Sequence, residues 1–86
     1  MKLLAELNPN ALYADGFEDA YIGFIENRWV EDGVPIAVYS RAKCIEILES
    51  QGMSRDEAVD YFEFNVDGAY MGPHTPMFLV DDREWE

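Results

Sequence analysis

Four carboxylates recur at helical spacing in the second half of the chain, and they are the side chains with the most evident chemistry. They are separated by four, three and four residues: Asp56, Asp60, Glu63 and Asp67. At a rise of about 1.5 Å per residue, this spacing predicts one acidic stripe along a helix. The stripe is either a well-solvated face or a docking surface for a basic protein. Duplex DNA has about one charge per 3.4 Å on each strand, so the stripe is at most a partial phosphate mimic.

Few other side chains could support catalysis or metal binding. The single cysteine, Cys44, lies in an apolar run and is expected in the core, with a Cys44–His74 nucleophile pair as the alternative. The acids of segment 15–19 lack the alternating ligand order of a calcium loop. One cysteine and one histidine do not make a zinc site. We therefore predict a non-enzymatic protein without a metal or cofactor.

Two further regions could contact a partner. The loop 68–76 contains Tyr70 and His74 among glycines and prolines, so it either forms a recognition surface or only turns the chain. Trp29 and Trp85 are interface anchors if they are exposed. The residues predicted to bind a partner are the four acids of the stripe together with Trp29, Tyr70 and His74.

The apolar pattern predicts three strands. Runs over 21–25 and 34–39 are rich in strand-forming residues, and the turn residues between them predict an antiparallel hairpin with Trp29 in its tip. A third run over 77–80 predicts a closing strand.

Capping signals predict two helices between the second and third strands. Ser40 is expected to cap a helix over 41–50. Ser54 and Glu57 have the spacing of a capping box at the start of a second helix over 55–67. The result is an α+β fold of order β-β-α-α-β, with a small antiparallel sheet and two helices packed on one face. Residues 1–86 are expected to form one domain, with mobile ends at 1–12 and 81–86.

Charge narrows the class of partner. Eighteen acidic residues against six basic ones give a net charge of −12, which repels nucleic acid and anionic membranes and attracts basic proteins. The helix–glycine–helix order resembles a DNA-binding motif, but the second helix has one arginine and five acids, so no direct nucleic-acid binding is expected.

Three cations near helix N-termini are expected to pair with local acids: Arg41, Lys43 and Arg55. The absence of a leader or a membrane span predicts a cytoplasmic protein.

About three-quarters of the chain resembles a widespread group of small acidic proteins of bacteriophages and prophages. The residues that support the resemblance follow the pattern GMSxxEAVxYFEFNVxGAYxGxxTPxF between Gly52 and Phe78, with the segment ADGFEDA near the start. The resemblance implies a phage-encoded protein in a bacterial cytoplasm. By analogy, such a protein would dock on a basic host protein and inhibit a defence or nucleic-acid enzyme, as an anti-CRISPR or anti-restriction protein does. The alternatives are a homo-oligomeric structural module, such as a homodimer, and a ligand binder or enzyme that uses the Tyr70–His74 loop.

Overall fold

The order strand, strand, helix, helix, strand is confirmed in a computed structural model, which describes residues 2–26, 35–68, 72 and 74–80. The elements are α1 (Lys2–Leu7), a 3-10 helix (Glu18–Ala20), β1 (Tyr21–Glu26), β2 (Pro35–Ser40), α2 (Arg41–Ser50), α3 (Arg55–Tyr61), a π-helix that continues α3 (Phe62–Asp67), and β3 (Met77–Leu79). The predicted hairpin tip with Trp29, and residues 81–86, lie outside the described residues.

The sheet is mixed, which corrects the expectation of an antiparallel one. β1 and β2 form the predicted antiparallel hairpin, in which Phe24 lies opposite Ala37. β3 runs parallel to β2, with Phe78 beside Tyr39, and the strand order is β1-β2-β3. The parallel direction arises because the connection from β2 crosses the sheet through two helices before it returns. Apolar runs identify strands, but they do not show the direction in which a strand enters the sheet.

The core lies between the sheet and the two helices. Ala37 and Tyr39 on β2 are fully buried against them. The ring of Phe78 lies 5.8 Å from that of Tyr39 and 5.0 Å from that of Phe62, so three aromatic rings connect the sheet to the π-helix. The helices contribute four buried side chains to this core, namely Ile45, Leu48, Ala58 and Phe62.

The first residues of the chain pack against the hairpin. Leu4 of α1 is fully buried in the core. The amide of Asn8, which is also buried, donates a hydrogen bond of 2.8 Å to the carbonyl of Pro35 at the start of β2. These contacts attach α1 to the sheet.

Both helix N-termini have the predicted caps. The hydroxyl of Ser40 accepts a hydrogen bond from the Lys43 N–H at 3.2 Å. Ser54 and Glu57 form the complete capping box, with both bonds at 3.2 Å. Gly52, at φ +103°, turns the chain between the helices in a conformation that other residues rarely adopt. None of the helices in the described part of the chain is long and apolar enough to cross a membrane.

Candidate functional site

The helix that bears the acidic stripe changes its hydrogen bonding halfway along. From Phe62 the α-helix widens into a π-helix, in which the Gly68 N–H donates to the carbonyl of Glu63, five residues earlier, at 3.1 Å. The side-chain amide of Asn65 donates to the carbonyl of Tyr61 at 3.2 Å. π-helical turns are rare and occur frequently at functional sites. The segment Phe62–Asp67 is therefore a candidate functional site.

The π-helix changes the course of the predicted stripe. A π turn contains more residues than an α turn, so the four carboxylates do not form the straight line that α-helical spacing predicts. Glu63 instead approaches α2, where one of its oxygens lies 3.4 Å from the guanidinium of Arg41. Asp56, Asp60 and Asp67 are exposed and, within the described residues, form no ion pair. The stripe therefore consists of three unpaired carboxylates and one that is neutralised locally.

An exposed phenylalanine lies among these unpaired acids. Phe64 is 80% exposed, the largest exposure of any big apolar side chain in the described residues. It is four residues after Asp60 and three before Asp67, within about one helical turn of each. Its neighbour Tyr61 is 43% exposed. Aromatic side chains are enriched among the residues that anchor protein interfaces.

Phe64 is not among the residues that the sequence predicts to bind a partner. The sequence does contain a pattern that identifies Phe64. Ala58, Phe62 and Val66 lie on the buried face of the helix, so a residue two positions after Phe62 lies on the opposite face. An aromatic residue on the polar face of an amphipathic helix is the pattern that would have identified it.

The cations on this side of the molecule pair with local acids, as predicted. Arg41 pairs with Glu63, and its guanidinium carbon lies 5.8 Å from the centre of the Phe62 ring. The other two pairs are Lys43–Glu46 and Arg55–Glu49, each at 3.5 Å. Positive charge is therefore neutralised along α2 and at the start of α3, and the exposed face around Phe64 stays acidic.

The remaining predicted binding residues lie elsewhere or outside the described chain. His74 is half-buried, and its Nδ1 lies 3.1 Å from the side-chain nitrogen of Asn8. The His74 carbonyl accepts a hydrogen bond from the Leu12 N–H at 3.3 Å. These contacts connect the N-terminal segment to the last loop, and the predicted role of His74 in binding stays a prediction. Trp29 and Tyr70 are outside the described residues, and their predicted role in binding stays a prediction.

Cys44 is a core residue. It is fully buried in α2, and burial raises the pKa of its thiol to about 11, so the group is protonated at neutral pH. No cluster of three or more histidine, cysteine, aspartate or glutamate side chains within the described residues could hold a metal ion.

No protein-family model, no curated protein sequence and no solved structure matches this chain. The kind of partner must therefore be inferred from the surface that the chain itself presents. We define the acidic–aromatic face as Asp56, Asp60, Phe64 and Asp67.

Proposed function

We propose that this chain is a non-enzymatic binding protein whose acidic–aromatic face docks on a basic surface of a protein partner. The observation that supports this most strongly is the 80% exposure of Phe64 among carboxylates that form no ion pair with any described residue. Burial of one phenylalanine on binding contributes apolar area at the centre of a contact, while the surrounding carboxylates select a basic counterpart.

The net charge of −12 acts on association as well as on specificity. A strongly acidic domain is steered toward a basic surface, which raises the association rate at low ionic strength. Salt shortens the range of this attraction. We therefore expect an affinity that falls with added salt, while the apolar contribution of Phe64 is retained.

The resemblance to small acidic phage proteins suggests the setting: a host protein in the bacterial cytoplasm. Defence nucleases, restriction enzymes and CRISPR effectors hold phosphates with arginine and lysine side chains. The face presents carboxylates that compete for such side chains and a phenyl ring that can stack on them. We accordingly propose inhibition by occupation of a nucleic-acid-binding surface, with the carboxylates as a partial mimic of phosphates.

The test is capture of a partner from bacterial lysate by the immobilised chain, at low and at high salt. The variant Asp60→Lys/Asp67→Lys reverses the charge of the face. Its matched control is Glu6→Lys/Asp19→Lys, which changes the net charge equally at two exposed positions on other elements. We expect the first variant to lose the partner and the control to retain it. Equal capture by both variants would show that the face does not bind.

Competition then identifies the surface that the partner uses. A purified partner is mixed with the chain and with duplex DNA or RNA. The proposal requires that nucleic acid displaces the chain, and that Phe64→Ala weakens binding by about tenfold, the effect expected of an interface anchor. Simultaneous binding of nucleic acid and the chain would exclude the inhibitory mechanism, but not the docking itself.

A homo-oligomeric module is the second candidate function, because the outer face of the sheet exposes apolar side chains. Ile25 and Met77 are 46% and 49% exposed and lie opposite Ile36 and Val38 on β2. Sedimentation over a wide concentration range separates the two candidates. A dimer that dissociates with Met77→Lys, in a chain that captures no partner, would favour the oligomer. A monomer would remove it.

A further inference from the structure

A groove separate from the acidic–aromatic face opens between the N-terminal segment, α2, the π-helix and β3. Its volume is about 530 Å³, within the range of about 300–1,000 Å³ that is typical of small-molecule sites. Apolar side chains supply most of its wall, and the buried Phe17 and Leu48 belong to it. The groove has the size and the apolar lining of a ligand site.

The described lining of the groove is rich in aromatic rings, and its charge is negative. Four aromatic rings line it: Tyr13, Phe17, Tyr61 and Phe78. Asp15 is the single charged residue of the lining among the described residues, and neither lysine, arginine nor histidine belongs to it. Aromatic faces attract cations through the ring quadrupole, and a carboxylate beside them adds a direct attraction. An anion would find no positive partner among the described residues of this lining.

We infer that this groove binds an organic cation with an apolar body, such as an alkylammonium or guanidinium group attached to a hydrocarbon. The apolar part would occupy the space above Phe17 and Leu48, and the cation would lie beside Asp15 among the rings. The cation is either a free small amine or the arginine side chain of a protein. Either source supplies the same chemistry.

The inference is tested by titration of the whole chain with matched probes, followed through its amide ¹H–¹⁵N spectrum. Phenethylammonium is compared with neutral 2-phenylethanol, and acetyl-Arg-Phe-amide with its neutral isostere acetyl-citrulline-Phe-amide. We expect saturable shifts at Asp15, Gly16 and Asn65, and affinity about tenfold higher for the cation in at least one pair. The pair with the larger difference identifies the source, a small amine or a protein side chain. Equal affinity for charged and neutral probes in both pairs, or no saturable shift, would overturn the inference.

Two variants separate a specific groove from the general attraction of an acidic protein. Asp15→Asn removes the charge in the lining, whereas Asp19→Asn removes an exposed charge four residues later that does not line the groove. We expect Asp15→Asn to weaken cation binding about fivefold more than Asp19→Asn does, a difference typical of one carboxylate close to a cation. Equal loss in both variants would mean that the net charge alone attracts the probe, which contradicts the inference. Because neither position belongs to the acidic–aromatic face, this result is independent of the proposed function.

Discussion

Phe62 and Phe64 differ in what their side chains contribute, although they are two residues apart. Phe62 is fully buried beside Phe78, and the guanidinium of Arg41 lies over its ring. Phe64 is 80% exposed and contributes little to the core. The same residue type therefore stabilises the fold at one position and remains available for binding at the other.

The two alanine variants should separate these contributions. Phe62→Ala should lower the free energy of unfolding by about 3–5 kcal/mol, because it leaves a cavity in the core. Phe64→Ala should change it by no more than about 0.5 kcal/mol. Urea unfolding followed by circular dichroism measures both. Similar losses for the two variants would contradict the assignment of Phe64 to the surface.

Because of Cys44, the free energy of unfolding depends on pH in the alkaline range. Its ordinary pKa is 9.0, and burial raises the pKa of the folded thiol to about 11. Between these values the unfolded chain has lost the thiol proton while the folded chain keeps it, so stability falls as the pH rises. Burial also raises the pKa of Tyr21 and of Tyr39, which acts in the same direction.

The contribution of Cys44 to the free energy of unfolding should therefore be constant from about pH 6 to about pH 8 and fall by about 2 kcal/mol toward pH 11, at about 1.4 kcal/mol per pKa unit. Urea unfolding at a series of pH values measures this. Cys44→Ala is the control and should show a shallower decline, which reports the tyrosines alone. The same decline in both proteins would show that the thiol is not protected by burial.

At the scale of the element, the π-helix depends on the absence of a side chain at its end. A Cβ on Gly68 would lie 3.0 Å from the carbonyl oxygen of Glu63 and 3.4 Å from that of Phe64. The Glu63 oxygen accepts the hydrogen bond that closes the π turn. Glycine allows the backbone to approach itself this closely.

Gly68→Ala should destabilise the protein by about 1 kcal/mol, although alanine in place of glycine usually stabilises a helix by a similar amount. Gly23→Ala is the control, because a Cβ at Gly23 meets nothing within 4 Å. Thermal unfolding of both variants is the measurement. A rise in the melting temperature of Gly68→Ala would show that the close approach is not required.

The π-helix is one of the features that the sequence did not predict. Capping signals predicted where both helices begin, because a cap depends on residues close together in the chain. The ion pair between Glu63 and Arg41 joins residues 22 positions apart, and no local pattern predicts it or the change from α to π hydrogen bonding. The parallel direction of β3 and the groove beside Asp15 likewise arise from elements far apart in the sequence. Local patterns contain little information about such contacts.

At the scale of the whole molecule, the charges repel one another across the entire fold. The radius of gyration is 13.5 Å, and the longest dimension is 39 Å. At about 10 mM salt the screening length is about 30 Å, so most pairs of acids interact. The three ion pairs of the described residues are largely exposed and offset little of this repulsion.

Added salt should therefore stabilise this protein. Raising NaCl from about 10 mM to about 150 mM should increase the melting temperature by roughly 4–8 °C, equivalent to about 1 kcal/mol for a domain of this size. The variant Asp56→Asn/Asp60→Asn/Asp67→Asn should respond less, because part of the repulsion is already removed. A melting temperature that falls with salt would mean that ion pairs outweigh the repulsion.

The parallel pairing of β3 with β2 has a consequence for the order of folding. Val38 and Met77 are separated by about forty residues, so their pairing closes a long loop and carries a large entropic cost. β1 and β2 are joined by a short connection and can pair early, and α2 and α3 form from local contacts. We expect β3 to join last. Until it does, the edge of β2 is open to another chain, so the refolding yield should decrease as protein concentration increases.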